Sequence, residues 1–134
     1  MGCRPSNQIG ELVGAIQQRT LEETIWNATK LYDSDVTVAA GEKAPYFKLL
    51  VDGQKLHGFG GCNNLTGTYK KDGNKLSAQI ASTRMFCDGK MDTETNLLKV
   101  LGATSSYSIK DDVLTLKADG KVVAVFKAQA EKTY

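Results

Sequence analysis

The sequence contains a single histidine, His57, and three cysteines with no Cys-x-x-Cys pair among them. A structural zinc site needs about four ligands, normally paired cysteines or histidines at short spacing, and no such set is present. A cysteine nucleophile needs an imidazole base. The only histidine alternates with Leu56 in a strand-like run, which turns it toward solvent. Without a Cys-x-x-Cys arrangement nothing local activates either thiol for redox catalysis. No apolar run approaches the roughly 18 residues of a membrane-spanning helix. Nor is there a basic stripe with interleaved aromatics, so nucleic acid is not an expected partner. Gly60-Gly61 is followed by no Gly-Lys-Ser/Thr and opens no helix, which excludes a phosphate loop. Asp111-Asp112 and Glu22-Glu23 are isolated pairs, and acid–base work by two carboxylates needs a shared cleft that the sequence does not define. Repeats and low-complexity tracts are missing too. No cofactor and no metal are implied, and the chain is not expected to be an enzyme.

What is present fits one small domain. At 134 residues the chain can bury roughly two thirds of its unfolded surface, enough to fold without metals or a dense disulfide framework. Its 41% hydrophobic and 24% charged content is ordinary for a soluble globular protein, and the net charge is only +2. The densest group of lysines, Lys70, Lys71 and Lys75, surrounds Asp72-Gly73-Asn74 and reads as a solvated hairpin tip.

The pattern along the chain is mostly that of strands. Thr24 to Leu31 has β-branched and aromatic content, and alternation places Trp26, Ala28 and Lys30 on one face. Asp33 to Lys43 is polar and reads as a loop. Asp-Gly pairs at Asp52-Gly53, Asp72-Gly73 and Asp119-Gly120 each separate two strand-like runs, the grammar of a β-hairpin, because both residues tolerate positive φ. Three such hairpins predict a meandering antiparallel sheet. One helix interrupts it over about residues 89–101, with Met91, Glu94, Leu98 and Leu101 on one face and Leu97 beside them. Asp88 or Asp92 is its expected N-terminal cap, and Gly102 its expected stop. The predicted fold class is α+β, mostly β: a curled, barrel-like antiparallel sheet with the helix packed across one end.

Two stretches carry a resemblance. Gly61-Cys62-Asn63-Asn64-Leu65-Thr66-Gly67-Thr68-Tyr69 is followed by Ser82-Thr83-Arg84-Met85-Phe86-Cys87, with a tryptophan strand before the pair and a leucine-rich helix after it. In that order they resemble the signature of the META domain, the family that includes the heat-inducible HslJ-like bacterial envelope proteins. The resemblance runs from about Thr24 to Lys127, and the domain is expected over residues 21–130. It implies that Trp26, Gly61, Asn63, Gly67, Tyr69, Thr83, Met85 and Glu94 are motif positions with structural or binding roles. It also makes Cys62 and Cys87 the two motif cysteines, either bridged in an oxidising periplasm or left as two buried thiols. Asn63, Thr83 and Glu94 are polar positions able to join in one buried network.

Residues 1–20 read as a tether. Met1-Gly2-Cys3-Arg4-Pro5-Ser6-Asn7 is short, polar and linker-like. Bacterial lipoproteins mature at a cysteine after a small residue, and META proteins are often of this type. On that reading Cys3 is the lipidated first residue of the mature protein, and Met1 does not begin the native precursor, because no apolar signal segment precedes Cys3. Arg4 is not the acidic residue associated with inner-membrane retention, which favours the outer membrane. The same residues also match N-myristoylation at Gly2 with palmitoylation at Cys3, and an incidental cysteine is the third reading. Ile9, Leu12, Val13 and Ile16 follow at helical spacing, despite Gly10 and Gly14. They form a short amphipathic segment that packs on the domain or faces a partner or membrane.

The function the resemblance implies is a non-enzymatic lipoprotein of the bacterial cell envelope, anchored to the outer membrane and facing the periplasm or cell surface, with a stress-protective or binding role. The partner would be an envelope protein or a small ligand, the membrane would be met only through the lipid, and a monomer is expected. A small-ligand-binding barrel is the alternative reading, and a thiol enzyme a minor one.

Overall fold

The computed structural model describes residues 20–129. The expected tether, with Cys3, Ile9, Leu12, Val13 and Ile16, lies outside the described residues except for Thr20. Within them the chain runs β1 (Ile25–Leu31), β2 (Ser34–Asp35), β3 (Tyr46–Leu50), β4 (Lys55–Phe59), β5 (Asn64–Asp72), β6 (Lys75–Ser82), α1 (Met91–Ala103), β7 (Ser106–Lys110), β8 (Val113–Ala118) and β9 (Lys121–Ala128). The strands form one antiparallel sheet in the order β2-β1-β3-β4-β5-β6-β7-β8-β9, and β1 also pairs with β9. That last pairing, with Trp26 opposite Ala128 and Leu31 opposite Ala124, bends the sheet into a ring. The mostly-β class with one helix is the one the sequence predicts.

Each of the three Asp-Gly pairs lies at a junction of antiparallel neighbours, though the turns differ. Asp119-Gly120 is a two-residue loop closed by the Ala118–Lys121 pair, with φ of 51° and 82°. Positive φ at both central residues is the type I′ geometry, whose twist matches that of the flanking strands. At the β5–β6 hairpin Asp72 itself pairs with Lys75, so the loop is Gly73-Asn74 rather than Asp72-Gly73, with Gly73 at φ 59°. Between β3 and β4 the connection is a 3₁₀ turn over Asp52–Gln54. Two more tight hairpins were not expected: Asp111-Asp112 joins β7 to β8, with Asp111 at φ 57°, and Tyr32-Asp33 joins β1 to β2, with Tyr32 at φ 54°. The expected loop Asp33–Lys43 is thus corrected at its start, where β2 pairs with the end of β1.

The ring has a seam. β6 and β7 share one register pair, Lys75 with Ser106, and the segment connecting them contains α1, which packs on β6 and β1. Leu97, Val100 and Leu101 are the apolar residues that α1 buries. The helix runs two residues later than expected. Its N-cap position is Lys90 with no side-chain capping bond, so neither Asp88 nor Asp92 plays that part. Gly102 lies inside the helix; the stop is Thr104, which turns extended and returns its hydroxyl to the Val100 carbonyl at 2.7 Å.

Trp26, Phe47, Phe126, Leu31, Leu49, Leu56, Leu97, Leu114 and Leu116, each at most 1% exposed, form the core. Phe47 and Phe126 meet edge to face at 4.9 Å, an arrangement that adds about 0.5–1.5 kcal/mol beyond area burial. On β1 the expected alternation fails after Ala28. The β1–β9 register shifts between Ala28 and Lys30, a bulge at Thr29, so Lys30 is exposed and Leu31 enters the core instead.

Candidate functional site

The two resembling stretches meet at the start of α1. Gly60 to Asn63 links β4 to β5, and Gly61 takes φ 113°, a conformation that a residue with Cβ rarely adopts. Glu94, in the first turn of α1, is 3% exposed and faces this loop. Its Oε1 accepts the backbone N–H groups of Cys62 at 3.2 Å and Asn63 at 2.5 Å. Its Oε2 accepts Asn63 Nδ2 at 2.6 Å. Three N–H donors thus replace the water that burial removes from this carboxylate.

Asn63, 1% exposed, is the hub. Nδ2 donates to Glu94 and to the Met85 carbonyl at 2.9 Å, while Oδ1 accepts the Thr83 hydroxyl at 2.7 Å and the Met85 N–H at 2.8 Å. A side-chain amide has two donors and two acceptor lone pairs, so all four are used. Cys62 and Cys87 form a disulfide with Cα atoms 5.7 Å apart, fixing the second stretch to the first beside this network. The result holds Met85 and Phe86 outward, 58% and 77% exposed, on a backbone anchored on both sides. Close by in sequence, Lys90 pairs with Glu42 at 2.6 Å and holds the Glu42 carboxyl below its ordinary range through the hydrogen bond and its charge.

The structure therefore brings together Gly61, Cys62, Asn63, Thr83, Met85, Cys87 and Glu94 from the expected positions. Trp26, Gly67 and Tyr69 are placed elsewhere. Trp26 donates Nε1–H to the Leu21 carbonyl at 2.9 Å. The Tyr69 hydroxyl donates to Glu22 Oε2 at 2.6 Å, and burial, reinforced by this carboxylate, pushes the phenol pKa well up. Gly67 is required by close strand approach, since a Cβ there would fall 2.0 Å from the Gln79 carbonyl oxygen. Sequence reasoning missed Gly60, which sits against Glu94, and Glu22, the partner of Tyr69. The doubled glycine before Cys62 was the available signal for the first; the second had none. His57 is exposed on β4. Glu23 accepts the Val51 N–H at 2.9 Å, so both carboxylates of the Glu22-Glu23 pair have structural partners. Among the described residues no group of three or more His, Cys, Asp or Glu side chains converges as a metal site.

Chemically, this cluster is a self-satisfied polar knot beneath an exposed Met-Phe loop. A solved structure similar to the chain, an NMR structure of a protein from Burkholderia xenovorans, aligns over 96% of this chain and 100% of its own, with TM-score 0.68 and 21% identity. A second NMR structure aligns over 80% of this chain and 90% of its own, with TM-score 0.62 and 20% identity. Among curated proteins no significant sequence match is found. The family profile described as the META domain matches residues 19–130. By that match, spanning both motif stretches and the whole ring, the chain belongs to the META domain family.

Proposed function

We propose that this is a non-enzymatic binding domain of the bacterial cell envelope, held to the outer membrane by a lipid on Cys3 and serving a stress-protective role. The observation that carries the reading is the state of the motif residues. Asn63 uses all four hydrogen-bonding positions of its amide within the protein, and Glu94 accepts three N–H groups. Asn63 so engaged has no donor or acceptor left to offer a substrate, and Glu94 keeps one lone-pair site of about four, so their part is to hold a shape. The Cys62–Cys87 disulfide supports an oxidising compartment such as the periplasm. Core side chains occupy the interior of the ring, which favours an outer surface over an interior one for the proposed binding role.

Mass spectrometry of the mature protein extracted from native membranes tests the anchor. A lipidated Cys3 as the first residue is expected. An unmodified mature terminus, with the protein recovered in a soluble fraction, would overturn the envelope-anchor reading.

A further inference from the structure

Across four neighbouring strands the register sets one outward row: Asn27, Tyr46, Phe59 and Asn64, on β1, β3, β4 and β5. The residues next to them in each strand, Trp26, Phe47, Gly58 and Leu65, point the other way and are buried in the ring. Asn64 is exposed, and Asn27, Tyr46 and Phe59 are half-exposed. Two aromatic rings thus stand side by side on the outer face, with a side-chain amide at each end of the row. Neither ring belongs to the core cluster or packs against it, so core packing does not account for them.

Charge on this face has one sign. The next outward rows place Lys48 opposite His57 and Lys55 opposite Thr68, and Lys70 follows on β5. Short of Asp72 at the β5–β6 hairpin, no outward position of β3, β4 or β5 carries a carboxylate. Beyond the face, Glu42 is paired with Lys90, and Glu23 is engaged by the Val51 N–H. At the aromatic end Lys43 holds its ammonium 4.9 Å from the Tyr46 ring centre and 5.4 Å from that of Phe59. Lys43 is exposed, and a cation–π contact in water is weak, so it can leave the rings for an anionic partner. From Phe59 to Lys55 the face runs about 13 Å along the strand, and β1 to β5 span about 14 Å across it.

We propose that this face binds a saccharide chain that carries carboxylate groups. The C–H face of a sugar ring stacks on Tyr46 and Phe59, whose electron-rich ring faces attract positively polarised C–H groups. Carboxylates meet Lys43, Lys48 and Lys55, and sugar hydroxyls exchange hydrogen bonds with the Asn27 and Asn64 amides. A nucleic acid fits less well. The net charge is only +2 and no arginine stands at these outward positions, too little to neutralise a phosphate at every nucleotide. The site gives the binding role proposed above its ligand class; it rests on that role and not on a lipid at Cys3, so the two can fail separately.

The test uses the full, disulfide-bonded chain. It is applied to an array of galacturonate, glucuronate and mannuronate oligosaccharides, neutral oligosaccharides of equal length, and single-stranded oligonucleotides. The uronates should bind about tenfold or more tightly than the neutral chains, and less tightly as salt rises. Titration with the tightest-binding uronate should shift the NMR signals of Tyr46, Lys48 and Phe59. Phe59→Leu keeps apolar bulk but removes the flat ring, and should weaken binding by about tenfold. Lys48→Gln combined with Lys55→Gln should weaken it similarly and reduce its salt dependence, with a thermal midpoint near that of the wild type. Absence of binding to every uronate, equal binding of neutral chains, or tighter binding of oligonucleotides would overturn the proposal. So would shifts confined to other strands, or full affinity in both variants.

Discussion

Gly60 lies so close beneath Glu94 that a Cβ on Gly60 would fall 2.5 Å from Glu94 Cγ and 2.8 Å from Oε1. The carboxylate and the loop it receives have no room between them. Gly60→Ala should therefore push Glu94 off its three N–H donors and destabilise the fold by about 1–3 kcal/mol, read as a lower urea midpoint. In a Glu94→Ala background the same change should cost much less, and a double-mutant cycle measures that difference. Equal costs in both backgrounds would show that the two residues do not act on each other.

Asn63 offers a sharper comparison. Asn63→Ala leaves the Thr83 hydroxyl and the Met85 backbone groups without their partner, at a cost of about 2–4 kcal/mol. Asn63→Asp keeps the size but replaces the two Nδ2 donors with an oxygen facing Glu94 at the position now 2.6 Å away. Two buried carboxylates in contact repel, so this near-isosteric change should be the more damaging of the two. Denaturant unfolding of both variants decides the order.

The disulfide closes a loop of 25 residues. On the chain-entropy account its removal by Cys62→Ser or Cys87→Ser should cost about 2–4 kcal/mol. Reduction of the wild-type protein should lower its thermal midpoint in the same direction, and the double serine variant should no longer respond to reductant.

Tyr69 should contribute to the alkaline loss of stability. Burial and the Glu22 carboxylate raise the phenol pKa above its ordinary value of 10.0. The stability this contributes is fully present below pH 10 and is lost as pH rises from there through the folded-state value, because the unfolded chain ionises first. Tyr69→Phe should lower stability at neutral pH by about 1–2 kcal/mol, through loss of the hydrogen bond to Glu22, and should flatten the decline above pH 10. Unfolding curves between pH 8 and pH 11 would show both effects.

Gly102 should respond in the opposite sense. Its site is helical, exposed and open, so Gly102→Ala should stabilise the domain by about 0.5–1 kcal/mol, measured as a higher thermal midpoint.

Turn chemistry made much of the ring legible, since the Asp-Gly pairs and the runs beside them marked three antiparallel junctions. The polar knot was legible through the family motifs, which carried Asn63, Thr83, Glu94 and both cysteines together. Other features had no local signature. The bulge at Thr29 depends on the partner strand β9, so alternation along β1 alone put Lys30 on the wrong face. Asp111-Asp112 lacks glycine, yet Asp111 adopts positive φ because aspartate tolerates the left-handed region better than most residues. Helix limits were misplaced because Gly102 resembled a stop, while the actual stop depends on Thr104 and the start of β7. The contact of Glu22 with Tyr69 joins residues 47 positions apart and is a product of the fold.

The pairing of β1 with β9 also imposes an order of events. The Thr29 hydroxyl reaches the Val125 carbonyl across 96 positions, so β1 must wait for β9 before its second edge is covered. Synthesis delivers β1 early and β9 late, which leaves a Trp-bearing strand half-paired for most of the chain's emergence. A topology of such distant contacts folds slowly and is prone to aggregation in the interval. The domain should therefore depend on holding chaperones more than its finished stability suggests, and slow release of its C-terminal strand should be more harmful than an equal delay in the hairpins between.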